Sequence, residues 1–101
     1  MKIYTTQEEV EADIKDGILA ITGDVTFECS IEIEASIVVT AGNITAGDIT
    51  ARDITAGNIT AWDISFYAVC FAYAKFICRS VKGRKENAKY GCLDSEVQIT
   101  K

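Results

Sequence analysis

Histidine is missing from the 101 residues, and so is any Cys-x-x-Cys pair. Without these ligand patterns the sequence offers neither a zinc site nor a redox motif, and we expect no cofactor and no metal. The four cysteines are interpreted as reduced, buried thiols, because Cys without a partner pattern behaves as a small apolar residue. They are Cys29, Cys70, Cys78 and Cys92.

A continuous apolar run of about 18 residues, the length that crosses a bilayer, is missing as well. The N-terminus carries acidic residues where a secretory signal would carry its apolar segment. We therefore expect a cytoplasmic protein that does not interact with a membrane.

The charges divide unevenly along the chain, although the net charge is only −5. Residues 1–64 hold 12 acidic and 3 basic side chains, a balance of −9, whereas residues 65–101 hold 3 acidic and 7 basic ones, a balance of +4. This distribution predicts an acidic region and a basic region that would meet different partners.

An isoleucine recurs every five residues from Ile44 to Ile64, each time after Asp or Asn and before Thr or Ser. A period of five fits neither the two-residue alternation of a strand nor the helical turn of about 3.6 residues, so the chain must turn once per repeat. Within a unit the Ile and the residue two positions later share a face. These second inward positions are Ala46, Ala51, Ala56, Ala61, Phe66, Phe71 and Phe76, with Val69 and Ala74 continuing the isoleucine series.

These units predict a β-solenoid, in which each coil forms parallel hydrogen bonds with the next. With four sides per coil, residues 20 apart would stack, Ile44 on Ile64 and Ala51 on Phe71. Further upstream a similar inward pair recurs every six residues, which extends the predicted coils to residues 18–76. The pairs are Leu19 and Ile21, Val25 and Phe27, Ile31 and Ile33, and Ile37 and Val39.

The two ends of the predicted solenoid differ. Thr6 and Glu9 match a capping box and Gly17 a helix stop, so residues 6–16 are predicted to form a short α-helix over the first coil. After residue 76 the repeat decays into a basic stretch, with Tyr90 able to close the core and a last strand at 97–99. We expect one all-β domain, residues 1–101, whose segment 77–101 is either a cap or an oligomerisation surface.

The Asp or Asn before each central apolar residue and the Thr or Ser after it resemble the pentapeptide-repeat proteins over residues 41–76. This resemblance implies a right-handed, four-sided β-helix without catalytic residues. It also implies a likeness to uncharacterised bacterial and phage proteins, and to members that imitate duplex DNA and bind DNA topoisomerases. In this chain the small inward residue stands two positions after the central residue, where the family has it two before.

Neither an acid–base pair nor a phosphate-binding loop stands out, because the Asp and Gly residues of the repeat suit the corners of a coil. We therefore expect no enzyme. The sequence favours a non-enzymatic structural or interaction module that self-associates through its C-terminal half, and an unidentified protein partner is a further expectation.

Seven residues are candidates for interaction: Trp62, Arg79, Lys82, Arg84, Lys85, Lys89 and Tyr90. Trp62 replaces Gly or Arg at a corner of the coil, where it is either exposed, as a contact residue would be, or packed under the C-terminal tail. The five bases with Tyr90 suit a nucleic acid. The alternative function is therefore related to nucleic acids, either binding through the basic segment or DNA mimicry by the acidic residues 1–64.

Overall fold

The computed structural model describes residues 2–99, and positions 1, 100 and 101 of the predicted domain lie outside the described residues. The predicted all-β solenoid is confirmed: the strands join in one parallel sheet of stacked coils, with one short helix near the N-terminus. In chain order the elements are β1 Lys2–Tyr4, α1 Gln7–Ala12, β2 Ile18–Thr22, β3 Val25–Phe27, β4 Ile31–Glu32, β5 Ser36–Thr40, β6 Asn43–Ala46, β7 Ile49–Thr60, β8 Asp63–Cys78, β9 Ser80–Gly83, β10 Lys89–Cys92 and β11 Gln98–Ile99.

The strands stack on three faces, and the long strands β7 and β8 each bend around all of them. The first face consists of β2, β5, residues 53–56, residues 69–72 and β10. The second face consists of β1, β3, β6, residues 58–60, residues 75–77 and β11. The third face consists of β4, residues 49–51, residues 64–66 and β9.

The coil does not have the four sides that the resemblance to pentapeptide-repeat proteins implies. Ile44 lies beside Ile59, and Ile49 lies beside Ile64, so residues 15 apart stack in the middle of the solenoid. A five-residue period fixes one turn per repeat but leaves open how many sides close a coil. Three sides suffice here because one Ile and one Ala per side fill a triangular interior at the packing density that proteins require.

The upstream pairs are confirmed as inward, since all eight residues from Leu19 to Val39 that form them are buried. Two large inward residues per side need a coil with more residues, and the pairing of neighbouring strands shows this greater length. Val25 lies beside Ile44, 19 residues further on, whereas the next step on that face, from Ile44 to Ile59, takes only 15. The volume of the inward side chains thus sets the circumference of the coil.

The predicted frame fails in β8, after Phe66. Cys70 lies beside Ile54 and is fully buried, whereas Val69 is 45% exposed and Phe71 is half-buried. The physical reason is one extra residue at the corner between Phe66 and Cys70, which exchanges the inward and outward positions of the following strand. Burial of Cys70 was predicted correctly, but the inward assignment of Val69 and Phe71 was wrong.

The N-terminal end is closed by β1 and α1 together. The capping box of Thr6 and Glu9 is present and Val10 is buried, but the helix ends at Ala12 and does not reach residue 16. It stops short because Asp16 and Gly17, with φ of 53° and 76°, form a tight turn of the type that Asp-Gly favours. Within residues 2–99 no helix has the length and apolar character needed to cross a membrane.

The C-terminal segment continues the solenoid by another coil, because β9, β10 and β11 all pair with β8. The last strand, predicted at 97–99, is found at Gln98–Ile99. Tyr90 lies beside Cys70 and points its ring at the end of the core, edge-on to Phe66 at 6.1 Å and to Phe76 at 6.4 Å between ring centroids. Tyr90 therefore covers the two largest core side chains of the preceding coil.

Candidate functional site

The basic side chains after residue 65 collect at one end of the solenoid. Because each coil contacts only its neighbours, order along the sequence becomes order along the axis. We call six exposed bases the basic ring: Lys75, Arg79, Lys82, Arg84, Lys85 and Lys89. They lie around all three faces and not on one patch, whereas the acidic side chains of α1 lie at the opposite end. The charge asymmetry of the sequence is thus an axial one.

Trp62 lies at the corner between the second and third faces and is 60% exposed, so of the two alternatives the structure shows the exposed side chain and not one packed under the tail. The guanidinium carbon of Arg79 lies 5.4 Å from the centroid of its ring. Backbone bonds hold the two residues in place, since the Trp62 N–H donates to the Gly47 carbonyl and the Arg79 N–H donates to the Trp62 carbonyl. Two candidate residues are thereby brought together, apart from the other bases.

An apolar patch that the sequence reasoning missed covers the C-terminal half of the first face. It consists of Val69, Phe71, Tyr73 and Leu93, with the rings of Phe71 and Tyr73 edge-on at 5.4 Å. Leu93 is 66% exposed. The apolar residues at 69, 71 and 73 alternate as the outward side of a strand does, and this signal could have revealed the patch. The assumption that the five-residue frame continues through β8 concealed it.

The corner between the third and first faces holds a groove of about 400 Å³ lined by Glu34, Arg52, Tyr67 and Arg84. Arg84 was predicted as a candidate, but the other three were not. They follow one another at separations of 18, 15 and 17 residues, which are the lengths of successive coils. A three-sided coil aligns them in one column, whereas the expected spacing of 20 does not.

The two fully buried thiols are not placed to act as nucleophiles. All four cysteines lie within the described residues and none forms a disulfide; Cys70 and Cys78 are buried, while Cys29 and Cys92 are half-buried, less than predicted. Burial raises the pKa of the Cys70 and Cys78 thiols, so both are protonated at neutral pH. Burial, followed by the charges of Glu9 and Glu8, also raises the pKa of Cys29.

Metal ligands are not assembled in the described part of the chain, where no three His, Cys, Asp or Glu side chains come together. Comparison of the chain with protein-family models, with curated proteins and with solved structures gave no match. The surfaces described above are therefore the basis for any statement on function.

Proposed function

We propose that this chain is a non-enzymatic interaction module that self-associates through the first face of its β-solenoid. The observation that carries this proposal is the outward apolar patch of Val69, Phe71, Tyr73 and Leu93, in which Phe71 is half-buried and the other three side chains are exposed. Contiguous apolar surface of this kind is characteristic of protein contacts. Val38 and Ile18 extend the apolar character toward the N-terminal end of the same face.

The size of the face favours a weak association. Its five rungs, about 4.8 Å apart, give it a height of about 19 Å. A contact confined to such a face buries less than the about 800 Å² per partner of a standard interface. The dimer should therefore dissociate on dilution, and its affinity should depend on charge as well as on apolar contact.

The axial charge asymmetry favours an antiparallel pair of chains over a parallel one. The two first faces meet about a two-fold axis that lies between them and runs along the strand direction at the middle rung. This axis places the basic ring of one chain beside the acidic N-terminal coil of the other. In that arrangement Val38 faces the partner's Phe71, and Lys89 lies near the partner's Asp16. Opposite charges meet at both ends of the contact, which fixes its direction.

Sedimentation velocity over a range of concentrations tests this proposal, with Val69→Lys as the disrupting variant. Lys at this position places a second charge beside Lys89 within the patch, and the dimer should weaken by about tenfold or more, the effect of about 1.4 kcal/mol. Ile3→Lys is the matched control: Ile3 is 44% exposed and Val69 45%, but Ile3 points outward from the second face. This control should sediment as the unaltered chain does.

Two outcomes would contradict the proposal. The first is a monomer at every concentration up to about 1 mM, where even a weak contact of this kind would be populated. The second is equal weakening by Ile3→Lys and Val69→Lys, which would move the contact away from the first face. The orientation is tested separately: raising salt from about 0.05 to about 0.5 M should weaken an antiparallel dimer, because the screening length shortens.

The basic ring favours a second candidate function, the binding of nucleic acid. Its six cations lie within the last two coils and outnumber the four carboxylates there, so this end of the solenoid has a net positive charge that would attract a phosphate backbone. The four carboxylates are those of Asp63, Glu86, Asp94 and Glu96. Retention on heparin that falls steeply with salt would support this candidate. Binding only to an anion exchanger would instead support imitation of duplex DNA by the acidic coils.

The repeat of residues 41–65 supports a relationship to bacterial and phage pentapeptide-repeat proteins. The Asp or Asn, Ile, Thr or Ser order is present in five consecutive units. The three-sided coil differs from the four-sided coil of that family, so we propose the relationship at the level of the repeat unit alone.

A further inference from the structure

The groove at the corner between the third and first faces is built from one residue per coil. Glu34, Arg52, Tyr67 and Arg84 each follow the last inward residue of a third-face segment, at Ile33, Ala51, Phe66 and Gly83. Backbone bonds hold this column in register: the Arg52 N–H donates to the Ala35 carbonyl and the Arg84 N–H donates to the Phe66 carbonyl. The side chains therefore project from a rigid sheet, which favours a preorganised site.

Two arginine side chains line this groove from different coils. Arg84 begins two rungs above Arg52, but its Nη2 donates to the carbonyl oxygen of Ala51 at 2.7 Å, which brings its guanidinium back to the rung of Arg52. The guanidinium carbon of Arg52 lies 6.0 Å from the centroid of the Tyr67 ring. Tyr67 stands between the two arginines along the column, and its ring remains 43% exposed.

Among the described residues, neither arginine of the groove forms an ion pair with a carboxylate within 4 Å. Among residues 2–99 the ion pair within 4 Å is that of Lys2 and Asp13, at the other end of the molecule. Glu34 lines the groove but lies farther than this from both guanidinium groups. Arginines that line one groove without a carboxylate partner attract an oxyanion, and their forked donors match a phosphate in particular.

We propose that this groove binds a nucleoside monophosphate, with the phosphate held by Arg52 and Arg84 and the base placed on the exposed ring of Tyr67. The volume of about 400 Å³ falls within the range of about 300 to 1,000 Å³ that small-molecule sites occupy. A flat base finds a stacking surface on Tyr67, and Glu34 provides an acceptor for an amino or hydroxyl group of the ligand. This site does not depend on the self-association proposed above.

Amide and side-chain NMR of the full chain, titrated with adenosine 5′-monophosphate, tests the site directly. We expect shifts at Arg52, Tyr67 and Arg84 and an affinity at least about tenfold higher than for ribose 5-phosphate, which lacks the base, or adenosine, which lacks the phosphate. Arg52→Gln and Arg84→Gln should each weaken binding of the monophosphate by about tenfold, whereas Tyr67→Leu should weaken it without affecting ribose 5-phosphate.

Arg79→Gln is the matched control, because Arg79 also lies against an exposed aromatic ring but has no second arginine beside it. It should leave the affinity unchanged. The proposal is overturned if about 10 mM monophosphate shifts none of the three residues, a concentration that would saturate a millimolar site. It is overturned equally if ribose 5-phosphate binds as tightly as the nucleotide, or if Arg79→Gln weakens binding as much as Arg52→Gln does.

Discussion

The coil of residues 43–60 and the coil of residues 63–78 run around the same three faces but turn their corners differently. In the coil of residues 43–60 the step from the last inward position of one side to the first of the next is three positions, as from Ala51 to Ile54. In the second coil the corresponding steps from Phe66 to Cys70 and from Ala72 to Phe76 take four. The register between the two coils shifts at both of these corners.

The difference shows what determines the frame of a solenoid. Phe66 and Phe76 need more room than the alanine and isoleucine beneath them, and the chain supplies it by lengthening corners while the sides keep their alternation. A repeat of five residues is therefore expected only where the inward residues are small. Larger inward residues change the period, and a pattern extended beyond them assigns the wrong side chains to the core.

The largest expected effect comes from placing a charge inside the regular coil. Ile54→Asp buries an unpaired carboxylate at a fully buried position and should cost several kcal/mol, against a total stability of about 5 to 15 kcal/mol. Thr55→Asp is the control, because Thr55 is the next residue and faces outward. Urea unfolding followed by circular dichroism compares the two, and similar midpoints would contradict the inward and outward assignment.

A smaller effect is expected from adding a single methyl group at a tight corner of the regular coil. A Cβ on Gly42 would overlap the backbone of Gly23, which cannot move aside as a flexible side chain would, whereas a Cβ on Gly47 meets no atom within 4 Å. Gly42→Ala should therefore cost about 1 to 3 kcal/mol, and Gly47→Ala, in the same Ala-Gly-x-Ile-Thr context, should be neutral or slightly stabilising. Equal unfolding midpoints would show that the corner can widen.

The longer coil is tested at Cys70, which the five-residue frame would place outside. Cys70→Ser buries a hydroxyl group among apolar side chains and should cost about 1 to 3 kcal/mol. Cys92→Ser, at a half-buried position on the last coil, should cost less. A thiol reagent provides an independent measurement, because Cys29 should react in the native state and Cys70 only on unfolding. Rapid labelling of Cys70 in the native state would contradict its burial and would support an unbroken five-residue period through β8.

The sequence predicted the solenoid, the upstream inward pairs and the capping box because each depends on neighbours within a few residues. It did not predict three sides, because closure depends on contacts such as Ile44 with Ile59 that a local pattern does not contain. The groove of Arg52, Tyr67 and Arg84 follows from that closure and was missed for the same reason. Trp62 was recognised as a candidate because it breaks the Gly or Arg pattern of the corners, but whether it is exposed could be decided only from the closed coil.

The N-terminal coil, which begins at Lys2, differs from both of these coils. It has α1 in place of a strand on the third face, and Lys2 lies beside Val25, 23 residues further on. The side chain of Gln7 imitates a strand there. Its Nε2 donates to the Glu32 carbonyl at 2.6 Å, and its Oε1 accepts from the Glu32 N–H at 3.0 Å. The helix therefore satisfies the edge of β4 as a further strand would.

The smallest expected effect is a change in how firmly this helix is held as the pH falls. Hydrogen bonds from the hydroxyl and the backbone N–H of Thr5 lower the pKa of Glu9 from its ordinary value. A carboxylate with a lowered folded-state pKa contributes stability that is present above the unfolded pKa of about 4.3 and is lost as the pH falls through the folded one. Acidification below about pH 4 should thus loosen α1 before the coils unfold.

Hydrogen exchange of the Glu9 amide, which donates to the Thr6 hydroxyl, reports this loosening. Glu9→Gln keeps an oxygen that accepts from Thr5 and Thr6 but has no charge to lose, so its exchange should depend less on pH. Glu8→Gln removes a charge from the same turn of the helix without touching these bonds and should retain the dependence. If both variants respond to acid as the unaltered chain does, the Glu9 carboxylate does not hold the helix, and its attachment depends on other contacts such as buried Val10 and the bonds of Gln7 to β4.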